Sequence, residues 1–145
     1  MSIKNLKGFL ERMEKRLIEN PRDAVKPLVT RSTMLVRNTA VSSIQAGGSG
    51  ETVQKYNPRR THTQSAPNQP PARDTGILDS NISTEVKSST DGMVVGKIIS
   101  AAPYSKFLEF GTTTMTERPF MQPALENNKH KIKKLFKDKG LTKWA

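Results

Sequence analysis

The chain contains no cysteine, which excludes disulfides and thiolate chemistry. It has no apolar run approaching the ~20 residues that a bilayer-spanning helix needs. The first residues, MSIKNLKGFLERMEKRL, are charged throughout and lack an apolar h-region, so no secretory signal is expected. Histidine is scarce, and His62 and His130 fall in unrelated predicted elements. Neither a metal site nor a Ser–His pair is therefore expected. Hydrophobic residues make up 34% of the chain and mean hydropathy is −0.61, which predicts a modest core. Such a polar chain is expected to rely on neighbours to cover its remaining apolar surface. These absences together predict a soluble protein, made in a cytoplasm, with no membrane segment and no cofactor.

Positive charge is in excess. There are 24 Lys and Arg against 13 Asp and Glu, a formal net charge of +11. That balance favours acidic partners: nucleic acid, an anionic membrane or acidic protein surfaces. At 145 residues a single domain, 1–145, is expected. It divides into a helical region at 1–46, an extended arm at 47–76, and a sheet, aromatic corner and C-terminal helix at 77–145.

Ile3, Leu6, Leu10, Met13 and Leu17 step by three and four and predict a helix with one apolar stripe. Asn20-Pro21 ends or kinks it. A second helix runs to about Ala46, with Pro27 near the start of its regular part and Gly47-Gly48 as its stop. Val25, Leu28, Ser32, Leu35, Thr39 and Ser43 form its inner stripe, widened by Val29, Val36, Ala40 and Ile44.

The segment 47–76 holds four Gly and four Pro, and only Val53 and Tyr56 suggest a strand. Loops beyond ~12–15 residues are uncommon in compact domains unless functional or disordered. With Arg59, Arg60 and Arg73 it is also basic. It reads either as a solvated mobile loop or as an arm or hairpin that orders only against a neighbouring subunit. Thr75 to Ile82 predicts a short helical turn. Ile82–Val86 and Met93–Ile99 predict two strands joined at Asp91-Gly92, a strong hairpin signal. Met93, Val94, Val95, Ile98 and Ile99 are nearly continuous and predict burial on much of both faces. The last helix is expected from Pro119 to about Lys139, ending near Gly140, with Met121, Leu125, Ile132, Leu135 and Phe136 inward. Lys129, Lys131, Lys133, Lys134 and Lys137 form its basic outer face. The fold class is α+β: helices at both ends around a small, mainly antiparallel sheet, with a long arm.

Three of the five Phe (Phe107, Phe110 and Phe120) lie between Pro103 and Leu125. Tyr104, Phe107, Leu108 and Gly111 follow helical spacing, with Pro103 opening the turn and Gly111 closing it in the left-handed region. A polar loop follows, and Pro119 opens the last helix. The three Phe are expected to clamp the short helix to the last one. Glu109 and Arg118 flank the loop and are placed to pair across it.

Two catalytic signatures fail on their flanks. Asp74-Thr75-Gly76 matches the aspartic-protease triplet, but Pro70-Pro71-Ala72-Arg73 precedes it where an apolar strand belongs. Gly92 to Lys97 approaches a phosphate loop, but has three residues between its glycines instead of four, and Ile98 where Ser or Thr would hold magnesium. No enzyme is expected.

Tyr104, Glu109-Phe110-Gly111-Thr112, Met115, Arg118-Pro119-Phe120 and Pro123-Ala124 come in an order that resembles the tail-completion or neck proteins of tailed bacteriophages, also described as minor tail or virion-morphogenesis components. An upstream stretch is similar too: Ser65-Ala66-Pro67, Pro70-Pro71, Thr75-Gly76-x-Leu78 and Ser80-x-Ile82. Asn68 departs from the Gly usual in the family, though Asn tolerates the same left-handed turn. The resemblance implies a structural virion protein at the neck or head-proximal end of the tail, assembled in the host cytoplasm. It implies a homo-oligomeric ring, usually a hexamer. Its partners would be the head connector or adaptor and the tail-tube or tail-terminator protein, with phage DNA passing through the channel. The competing expectation, from charge alone, is a basic non-specific nucleic-acid-binding protein. That class lacks support from a reading helix or an aromatic-rich binding surface.

Overall fold

The computed structural model describes residues 21–139 together with Gly8, Glu11, Arg12 and Lys15. The stripe expected on Ile3, Leu6, Leu10, Met13 and Leu17, and the stop at Gly140, lie outside the described residues. The architecture is α+β: helices with two small antiparallel hairpins.

Helix α1 spans Pro21–Gln45. Pro27 lies inside it and does not mark its start. Five hydroxyl side chains of α1 bond back to its own carbonyls, among them Ser32 to Leu28 at 2.8 Å and Thr33 to Thr30 at 2.9 Å. This self-satisfaction lets buried Ser32 and Thr33 sit in the core stripe without outside partners. The deepest residues are Leu28, Ser32, Thr33, Val36, Ala40 and Ile44. Val25, Leu35, Thr39 and Ser43 only border that stripe. The inner face is therefore rotated from the expected one, because α1 packs on a hairpin and on the last helix at once.

Strands β1 (Thr52–Tyr56) and β2 (Arg59–Thr63) form the first hairpin, antiparallel from Thr52↔Thr63 to Tyr56↔Arg59. The segment read either as a mobile loop or as an arm that orders only against a neighbour is a hairpin paired within one chain. Gly48 seats its base, since a Cβ there would fall 2.1 Å from the Thr63 carbonyl oxygen. The short helix α2 (Ile77–Ser80) follows Gly76, whose φ of 82° suits glycine.

Strands β3 (Ile82–Ser88) and β4 (Val94–Ser100) form the second hairpin, turned at Gly92 with φ 85°. Its inner side lies on α1 so closely that a Cβ on Gly96 would meet Thr33 Cγ2 at 2.2 Å. Its other side is uncovered: Val95 is 39% and Ile99 43% exposed. Burial on both faces was the expectation from the apolar run. A two-stranded hairpin with one helix against it can bury only one.

Helix α3 is Ser105–Phe110 and helix α4 is Met121–Lys137. Helix α4 begins two residues past Pro119. Its inner stripe is Ala124, Asn128 and Ile132, while Leu125 is exposed, against expectation. Asn128 Nδ2 donates to Thr39 Oγ1 at 2.9 Å and to the Ala124 carbonyl at 2.7 Å, so this buried amide joins α4 to α1. The core is small: Val36, Ala40, Ile44, Leu78, Ile82, Ala102, Phe120 and Ala124, with Val41, Ile98, Leu108, Met121 and Ile132 at its edge.

Candidate assembly corner

The first turn of any helix leaves backbone N–H groups without partners and carries partial positive charge. In α4 these groups go to Glu109, one turn-and-loop upstream. Glu109 Oε2 accepts from Phe120 N–H at 2.9 Å and Met121 N–H at 3.0 Å, and Oε1 accepts from Gln122 N–H at 2.8 Å. Glu109 therefore caps α4 and does not pair with Arg118. A helix opened by Pro119-Phe120 carries no capping side chain of its own, and that was the signal pointing to a nearby acid.

Arg118 instead spans the two stretches that carry the family resemblance. Its Nε donates to the Ser65 carbonyl at 3.3 Å and its backbone N–H to the Leu108 carbonyl at 2.6 Å. Asn68, with φ 60°, donates its backbone N–H to the Glu117 carbonyl at 3.0 Å. Between them the loop is tightened by Thr112, whose Oγ1 accepts from Met115 N–H at 3.0 Å. Gly111 closes α3 at φ 71°, ψ −177°. That conformation is extended in ψ, not left-handed helical as expected, and is essentially open only to glycine. Pro123 sits in the first turn of α4, where its missing N–H costs little.

The three Phe do not form a clamp. Phe120 is 1% exposed, in the core, whereas Phe107 is 45% and Phe110 76% exposed. Helix α3 is only six residues long and turns Leu108 and Glu109 inward, which leaves its aromatic side outward. Exposed Tyr104 lies on the same side, and exposed Tyr56 stands at the arm's tip.

The arm is tied to the body through acids. Asp74 pairs with Lys55 and Arg60 and lies 3.9 Å from His62 Nδ1. Val53 shares that half-buried inner side of the arm, while Arg59 faces solvent. Arg73 Nε meets Asp79 Oδ2 at 3.2 Å, and Gln45 Nε2 donates to the same oxygen at 3.0 Å. Buried Asp79 was not singled out in the sequence; its place in the turn after Thr75-Gly76 and beside buried Leu78 was the only hint. A cleft of about 440 Å³ opens between arm and body, with His62, Arg73, Asp74, Asp79, Tyr104 and Arg118 among its walls.

The hydrogen bond from Lys55, then the nearby charge of Arg60, holds the Asp74 carboxyl below the usual carboxylate range. A protease-like dyad would instead share a proton. A lowered folded pKa means that this contribution is present above the unfolded value and lost as pH falls through the folded one. Acidification below about pH 4 should therefore loosen the arm first. Asp74→Asn should do the same at neutral pH. Amide exchange should rise across β1 and β2 but not in α1; an arm equally protected in the variant would show that Asp74 does not hold it.

Glu109→Ala should cost about 2 kcal/mol, through lost capping and orphaned donors. Glu109→Gln should cost less, because it keeps an acceptor and loses only the charge. Urea denaturation would read both; equal stability of all three proteins would remove the cap's role.

The five lysines expected on the basic outer face of α4 are all exposed, spread over a broad arc. At about 100° per residue, Lys129, Lys133 and Lys137 share one side of α4 and Lys131 and Lys134 another. Lys129 pairs with Glu126 at 2.6 Å. Lys131 and Lys134 border α1 beside Arg31. Among the described residues, no group of three or more His, Asp or Glu is arranged to hold a metal, and no helix is long and apolar enough to cross a membrane. No family model, no curated protein and no solved structure matches this chain.

Proposed function

We propose that this is a structural virion protein of a tailed phage, forming a ring at the neck or head-proximal end of the tail. The ring, a hexamer in this reading, joins the head connector on one side to the tail tube or its terminator on the other. It is built in the host cytoplasm and carried in the virion. The observation that supports this best is the corner. The two stretches that carry the family resemblance are locked together by Arg118 on the Ser65 carbonyl and by Asn68 on the Glu117 carbonyl. Beside that lock, Phe110 is largely exposed and Tyr104 and Phe107 are partly so. Aromatic side chains are enriched at the centres of protein interfaces. Repeated contacts between unlike patches, such as corner and arm, close rings when the rotation allows.

Mass spectrometry of purified virions and electron microscopy of the isolated protein test this. Rings that disappear in Phe110→Asp, with the monomer's circular dichroism unchanged, are the expected result. A protein that stays monomeric, is missing from virions, and binds DNA with a slope of about −0.9 per phosphate contact would instead be the basic nucleic-acid binder.

A further inference from the structure

Helices α1 and α4 lie side by side, and a furrow runs along the outside of the pair. One part, of about 480 Å³, has Arg31, Met34 and Leu35 on one wall and Lys131, Lys134 and Leu135 on the other. A second part, of about 500 Å³, shares Arg31 and Met34 and continues past Pro27 and Lys26, walled among the described residues by α1 alone. Between the two helices the furrow runs from Arg31 to Asn38, about 10 Å at ~1.5 Å per residue, and the apolar surface continues over α1 alone toward Asp23.

Its floor is apolar. Met34 is 52% exposed where the two parts meet, with Leu35 and Leu135 half-buried beside it. Its rim is cationic: Lys26 and Arg31 on α1, Lys131 and Lys134 on α4, against Asp23 and Asp138 near the ends. None of these four cations has an acid partner among the described residues. Apolar floor and charged rim call for a ligand with an apolar stripe flanked by acids. A furrow between two helices has the shape to take a third.

We propose that this furrow docks an acidic amphipathic helix of a neighbouring virion protein. Apolar side chains at i, i+3, i+4 and i+7 would cover Met34, Leu35 and Leu135, and flanking Asp or Glu would reach the four cations. Duplex DNA would reward the lysines and leave the apolar floor unused. The chain's own residues 1–20 carry five Lys and Arg against three Glu, the same sign as the rim. The proposal deepens the ring reading by naming the kind of neighbour, and rests on that reading only for the neighbour's source.

The test uses the full chain and a fluorescent synthetic helix of about 15 residues, Leu on one stripe and Glu elsewhere. Anisotropy should show it binding at least about tenfold tighter than a scrambled peptide or its Lys-for-Glu counterpart. Met34→Glu and the pair Lys131→Glu/Lys134→Glu should each weaken it about tenfold, with circular dichroism unchanged because these side chains are exposed. Equal binding of the scrambled peptide overturns the proposal. So does competition by short duplex DNA combined with indifference to Met34→Glu. A gain in affinity on Leu10→Glu/Leu17→Glu also overturns it, by making the chain's own N-terminal stretch the occupant. Rings without peptide binding remove the furrow and leave the ring reading; peptide binding without rings does the reverse.

Discussion

Phe120→Ala should lower stability by about 3–5 kcal/mol. The ring is 1% exposed, among the largest side chains in the interior, and packs in a core of few residues. It also sits at the N-cap of α4, so its loss opens a cavity in the core cluster at the helix start. Against a total of about 5–15 kcal/mol for a domain, that is a large fraction. Phe107→Ala and Phe110→Ala should stay within about 0.5 kcal/mol, since both rings already face solvent. The contrast is the measurement: three urea curves, with only the Phe120 variant displaced. An unshifted midpoint for Phe120→Ala would mean that the ring is not buried.

Gly96→Val should be almost as damaging, for the opposite reason. The constraint at Gly96 is space alone. A Cβ there would lie 2.2 Å from Thr33 Cγ2 and 2.8 Å from Val29 Cγ1. Both neighbours are β-branched and on a helix, where they have little rotamer freedom to yield. The β3–β4 hairpin must then lift from α1, at a cost of about 1–3 kcal/mol or more. Gly96→Ala should lose less. Thr33→Ser removes the nearer methyl and should recover part of the loss in the double variant, a coupling that thermal denaturation can read. If Gly96→Ala melts with the parent protein, the helix does not approach as closely as described.

The elements were largely legible, because their signals are local. Asp91-Gly92 marked a turn, Gly47 a helix end, and the steps of three and four marked α1 and α4. What depended on partners was not. Val94 to Ile99 announces apolar side chains, but not how many layers will cover them, and only α1 arrived to do so. The α1 stripe shifted toward Val36, Ala40 and Ile44 because two elements press on it. In the corner, aromatic spacing suggested a clamp, yet a six-residue helix can turn only one side inward, and Leu108 and Glu109 took it. The acid–base pair expected of Glu109 and Arg118 rested on opposite charge. The unpartnered N–H groups of a helix start won the carboxylate instead, since three charge-assisted bonds outweigh one exposed ion pair. Asn128 gave no signal at all: a polar residue on a helix reads as solvated until a Thr39 appears opposite it.

The latch on α4 has a consequence for the loop it bypasses. Residues 112–117 connect α3 to α4 in the chain, but α4 is held by Glu109, by Phe120 in the core and by Asn128 against Thr39. Cutting the loop would leave every one of those attachments in place. The loop keeps its own turn through Thr112 and Met115 but is not what holds α4, so exposed Thr113 is suited to carry a protease site or a short tag. In free protomers such a site is open to cleavage without unseating the helix. If the proposed ring forms through the corner, a neighbour would shield the site, and the extent of cutting would then count assembled subunits.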